Sequence, residues 1–161
     1  MVPAKASRSR ASSPEPRRPR PHVSYSRDHD WLLGNGGRVE MTGRLDVPER
    51  CYSLMRGTPE EAFVAAVSSS QMFAFLALAA EHGATVTSYS DKPMGILMED
   101  DEGLRVVEVV LNPSVTYSEV PATPAAEQHL HDRAKQRSIL GNSITAKVSV
   151  YSAAEFAIAP R

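Results

Sequence analysis

The sequence predicts an α+β domain with helices laid against an antiparallel sheet, and three observations carry that reading. One segment is apolar on nearly every side and framed by strong helix-start and helix-stop signals. Several segments rich in Val, Thr and Tyr flank it, separated by turn residues. The resulting order, β-β-α-β-β-α-β, alternates helices with hairpins and shows no internal repeat.

Taken in order, His22 to Arg27 reads as a short strand, Asn35-Gly36-Gly37 as a turn, and Arg38 to Leu45 as the second strand. Residues 46–57 read as a loop. Thr58 is a good N-cap, Pro59 suits the first helical position, and Glu61 completes a T-x-x-E capping box. The helix then runs to His82 and stops at Gly83, a natural left-handed terminator. At 1.5 Å per residue it is roughly 36 Å long. A helix apolar all round is a buried helix, and one small domain can hardly surround this length. A second subunit covering part of it is the economical solution.

Two long strands follow, Thr85 to Glu99 and Leu104 to Tyr117, joined by a turn at Asp100-Asp101-Glu102-Gly103. Thr123-Pro124 opens a second helix that ends near Gly141. Ile144 to Tyr151 alternates as a final strand.

Residues 1–21 differ in kind. They carry six basic residues against the single acid Glu15, a charge of +5, so the other 140 residues hold −6 within the overall −1. With no aromatic residue and five prolines, this stretch reads as a disordered basic tail ahead of one domain over residues 22–161. Without aromatic interleaving for base stacking, nucleic-acid binding is not expected. The prolines argue against an amphipathic transit helix. The unbroken apolar run Phe73 to Ala80 is too short to span a membrane.

Cys51 is the only cysteine. It excludes an intrachain disulfide, a tetracysteine zinc site and a two-cysteine redox cycle within one subunit, and it fits a reducing, cytoplasmic compartment. No phosphate loop or G-x-S-x-G elbow occurs. His129 and His131 are two apart on a helix and point about 200° from one another, so they do not form a helical zinc pair. No metal and no cofactor is expected.

The motifs Tyr25-Ser26-Arg27-Asp28-His29, Thr58-Pro59-Glu60-Glu61, Ser68-Ser69-Ser70-Gln71-Met72 and Arg133 through Ser143 occur in an order and spacing that resemble the OsmC/Ohr family, the osmotically inducible and organic-hydroperoxide-resistance proteins. The resemblance covers about residues 22–151. It implies an intertwined homodimer with long central helices, antiparallel sheets and active sites at the subunit interface. It also implies reduction of organic hydroperoxides by a reactive cysteine on the first helix, resolved by a second cysteine on the other helix, with a carboxylate and an arginine assisting. The first cysteine position falls on Ser70, the second on Ser138, the carboxylate on Glu60 and the arginine on Arg27. Two family histidines fall on Gln71 and Lys135, so the whole site is altered.

A serine hydroxyl cannot cycle through sulfenic acid and disulfide. Three readings follow. The first is a homodimer whose interface pocket binds a small apolar or acyl molecule without redox turnover, with Met72, Phe73, Phe75 and Met94 available as lining. The second is a repurposed non-redox enzyme using Ser70, Ser138, Arg27, Glu60 and Lys135. The third is a thiol peroxidase working through Cys51. On ten residues of helix rise, about 15 Å, Glu60 is expected to face Ser70 of the other subunit rather than its own.

Overall fold

The computed structural model describes residues 25–45, 47–101, 103–118 and 123–152. The expectations for the tail 1–21 and for residues 22–24 fall outside them. Among the described residues, seven strands and two helices occur in the order β1 (His29–Leu32), β2 (Arg38–Met41), α1 (Pro59–Glu81), β3 (Val86–Ser90), β4 (Met94–Asp100), β5 (Gly103–Leu111), β6 (Ser114–Tyr117), α2 (Pro124–Arg137) and β7 (Lys147–Val150).

The central helix forms as its sequence dictates. Thr58 Oγ1 accepts the Glu61 N–H at 3.2 Å, and Glu61 Oε2 accepts the Thr58 N–H at 2.8 Å, so the capping box is closed. Gly83, at φ +74°, ends the helix. α1 is long and apolar enough by length and composition to cross a bilayer, more than its longest unbroken apolar run suggests. Yet Val64, Val67, Ser68, Gln71, Phe75, Leu78 and Ala79 are buried in the chain's own core. Burial is one-sided: Ala65, Ala66, Ser69, Phe73, Ala77 and Ala80 face outward. The all-round burial expected from the apolar composition is therefore not reached within one chain.

The two long strands expected after α1 are each broken. Asp91-Lys92-Pro93 separates β3 from β4, and Asn112-Pro113 separates β5 from β6. Proline supplies no N–H to a ladder, and both breaks fall at the same level of the hairpin. The two halves join different sheets, β3–β6 on one side and β4–β5–β7 on the other. Asp91 fastens the break to α1: its carboxylate accepts the Ser68 hydroxyl at 2.5 Å and the Asn112 N–H at 2.7 Å.

The core divides at the same point. Val64 and Val67, from the first half of α1, pack with Val109, Leu111 and Val148. Phe75, Leu78 and Ala79, from the second half, pack with Val115, Leu130 and Ala134. The first half lies so close to β4 that a Cβ at Gly95 would come within 2.8 Å of Val64 Cγ2.

Three further expectations shift. β1 lies at 29–32, and the described part of the expected strand, residues 25–27, carries none; the turn after Leu33 pairs His29 with Met41 and Leu32 with Arg38. α2 stops at Arg137 rather than near Gly141, since Ser138 adopts an extended backbone at φ −66°, ψ 115°. β7 is shorter than 144–151 and pairs in parallel with β5, Glu108 opposite Lys147, so that sheet is mixed while the other pairings are antiparallel.

Candidate functional site

Ser70 sits at mid-length on α1 and Ser138 is the C-cap of α2. The packing of these helices brings the two hydroxyls to 3.0 Å, Ser138 donating to Ser70. The turn that follows α2 folds back over both. The Leu140 N–H donates to Ser70 Oγ at 3.2 Å, and the Gly141 N–H donates to Ser138 Oγ at 3.2 Å. The turn is held by its own bonds: Asn142 N–H to the Ser138 carbonyl at 3.0 Å, Ser143 N–H to the Leu140 carbonyl at 3.0 Å, and the Asn142 side-chain amide to the Gln136 carbonyl at 2.8 Å. Gly141 lets the turn pack closely there: a Cβ would stand 3.0 Å from Ser138 Oγ, which would have to shift by a few tenths of an ångström. Sequence reasoning singled out neither Leu140 nor Gly141. A glycine three residues after a candidate site serine, in a helix-ending turn, was the available signal.

The other candidate residues lie apart from this pair. Glu60 is on the first turn of α1, with Phe63, Val106 and Ile144 along a groove of about 510 Å³. Arg27 lays its guanidinium 4.6 Å over the Tyr25 ring, and its Nε is buried with no hydrogen-bond partner among the described residues. Neither Glu60 nor Arg27 hydrogen-bonds or ion-pairs with Ser70 or Ser138 in the chain. Gln71 is fully buried, and its amide donates to the His131 carbonyl at 3.0 Å, tying α1 to α2. Lys135 is exposed. Cys51 is buried at 4% exposure in a short 3-10 turn, its carbonyl accepting the Arg27 N–H at 2.6 Å.

The four candidate lining residues divide. Phe75 is core, stacked on the His131 ring with centroids 4.1 Å apart. Met72 is half-buried. Phe73 is 67% exposed one turn beyond Ser70, and Met94 is exposed on β4. His129 is exposed and His131 buried. Burial pushes the His131 imidazole down to about 4, against a smaller upward pull from Asp132. No group of three metal-ligating side chains occurs among the described residues.

The fold and the paired site positions define an α+β protein of the OsmC/Ohr type. An OsmC-like protein of unknown function from Vibrio cholerae is 32% identical over 80% of this chain and 85% of its own, with a TM-score of 0.73. The chain belongs to the OsmC-like family. Organic hydroperoxide resistance proteins share its fold: that of Elizabethkingia anophelis at 17% identity and TM-score 0.64, over 80% of this chain and 90% of its own, and OhrB of Bacillus subtilis at 16% and 0.60, over 81% and 92%. No family profile and no curated protein matches the sequence.

Proposed function

We propose that this chain is a non-redox member of the OsmC/Ohr group, a homodimer that holds a small apolar or acyl molecule at the subunit interface without thiol turnover. The single observation that carries this reading is the hydrogen-bonded hydroxyl pair Ser70–Ser138, set where the resemblance places the two sulfurs. An alcohol oxygen there forms neither a sulfenic acid nor a disulfide.

The one-sided burial of α1 supports a second copy. Its outward face of small residues around Phe73 is an apolar surface that water does not favour, and β4 adds exposed Met94, Ile96, Leu97 and Met98. In such a dimer, Glu60 and Arg27 of one copy complete the site around Ser70 of the other. A repurposed enzyme is less well supported: no carboxylate, imidazole or amine hydrogen-bonds to either serine among the described residues, so within one chain neither hydroxyl has a base, and catalysis would rest on Glu60 brought by the second copy. A peroxidase through Cys51 would need a buried thiol to meet its substrate.

Native mass spectrometry of the purified protein tests the reading. The expected result is a dimer that carries an apolar molecule, released on denaturation, with Phe73→Asp losing both dimer and cargo. A 17.5 kDa monomer at low micromolar concentration would overturn it.

A further inference from the structure

We propose that the groove beside Glu60 takes a fatty acyl amide, its hydrocarbon laid along Phe63, Val106 and Ile144 and its amide N–H donated to the Glu60 carboxylate. This rests on the binding reading above and specifies its ligand.

Two hollows meet at Glu60. The larger, of about 510 Å³, runs between the start of α1 and residues 143–146, just ahead of β7. The smaller, of about 180 Å³, lies between α1 and β4 against Val64, Ala65, Gly95 and Leu97. Glu60 and Val106 line both. The larger has the size of a small-molecule pocket, roughly 300–1,000 Å³. Among the described residues, Glu60 is its one charged lining side chain, and no lysine, arginine or histidine lines either hollow.

The Glu60 carboxylate is unspent. Its neighbour Glu61 closes the capping box and pairs with Arg44 at 3.0 Å. Glu60 itself is half-buried and makes no hydrogen bond or ion pair among the described residues. An ionised carboxylate only accepts, and it offers about four acceptor sites. In the proposed dimer, the Ser70 hydroxyl of the second copy fills at most one of them. A ligand in the groove meets the rest.

Arg27, which the same reading sets at this site, is the complement. Its guanidinium lies over the Tyr25 ring rather than on Glu60, and its Nε is buried with no hydrogen-bond partner among the described residues. A guanidinium only donates. The site therefore combines an unspent acceptor and an unspent donor of opposite charge with an apolar wall. An ammonium head satisfies Glu60 and is repelled by Arg27. A carboxylate head satisfies Arg27 and is repelled by Glu60. An ester gives Arg27 an oxygen and gives Glu60 nothing. A primary carboxamide gives Glu60 an N–H and Arg27 a carbonyl oxygen, and it brings no charge to desolvate.

The test uses the full chain in its native oligomeric state and four probes with the same eight-carbon tail: octanamide, methyl octanoate, octanoate and octylammonium. Binding is measured by titration calorimetry and saturation-transfer NMR. Octanamide should bind, and each of the others should bind more weakly by about tenfold or more, the worth of one good hydrogen bond. Glu60→Gln removes the charge and keeps the shape, so the preference for octanamide over octanoate should shrink by about tenfold. Asp101→Asn, in the exposed turn between β4 and β5, should leave every affinity unchanged. The probe comparison on the unmodified protein decides the matter even if Glu60→Gln folds poorly. Any other probe binding as tightly as octanamide, or an unchanged preference in folded Glu60→Gln, overturns the amide assignment and leaves the binding reading standing. Failure of all four probes overturns both.

Discussion

Ser138 and His131 lie seven residues apart around α2, both buried, and they handle burial in opposite ways. Ser138 is fully engaged: it accepts from Gly141 and donates to Ser70. His131 has both ring nitrogens buried with no hydrogen-bond partner among the described residues. Its ring is stacked on Phe75, tilted against Tyr89 at 6.3 Å, and its Nε2 stands 3.9 Å from the buried Glu127 carboxylate. At Ser138, polarity is relayed from a backbone N–H outward to a hydroxyl on the open side. At His131, polarity is tolerated by keeping the group neutral, as its depressed pKa records. The comparison teaches where this fold keeps oriented polarity, at the end of α2, and where it keeps only packing, in the middle.

The largest effect that sharpens this contrast belongs to the packed region. Phe75→Ala removes a ring with 0% exposure from between α1 and α2, and about 3–5 kcal/mol of stability should go with it in urea unfolding.

The pH dependence is next. Burial on folding lowers the His131 pKa from the ordinary 6.5 to about 4, so the unfolded chain binds the proton first on acidification. Stability from the neutral imidazole is fully present above pH 6.5 and is lost progressively as pH falls toward 4, by about 3 kcal/mol in all. The groups facing the ring are Glu127 and Asp132 from α2 and Tyr89 from β3; Phe75 of α1 stacks on it, and Gln71 of α1 donates to the His131 backbone carbonyl. Unfolding midpoints measured from pH 7.5 to 4.5 should fall less steeply in His131→Leu than in the unmodified protein. Identical slopes would show that burial does not hold this imidazole neutral.

At the serine pair the effects are smaller. Ser138→Ala removes the acceptor of the Gly141 N–H and the donor to Ser70, and should lower stability by about 1–3 kcal/mol. Gly141→Ala forces a methyl to 3.0 Å from Ser138 Oγ. Its stability loss in urea unfolding should be no larger than that of Ser138→Ala.

What the sequence disclosed follows from the range of the forces involved. The capping box at Thr58 and the terminator Gly83 are local, and both form as read. The Ser70–Ser138 contact spans 68 residues and was legible only because the motifs around it resemble a family's. Pro93 and Pro113 were visible, but the separation of the two hairpin halves into different sheets depends on Asp91 reaching Ser68 across the fold. The parallel pairing of β7 with β5 left no local mark. His131 lies with Glu127, Leu130 and Ala134 on the buried face of α2, a 3-4 spacing visible in the sequence once the helix is placed. Glu60 and Arg27 stay apart from the serines within one chain, so a role for them at that pair rests on the proposed dimer.

Under the proposed function, hydroxyls stand where the resemblance places redox sulfur, and consumption of tert-butyl hydroperoxide with dithiothreitol as reductant tests that reading most directly. The unmodified protein should consume peroxide no faster than buffer with reductant alone, because Ser70 and Ser138 carry no oxidised intermediate and the sole thiol, Cys51, is buried. Turnover well above that background, abolished by Cys51→Ser, would contradict the account.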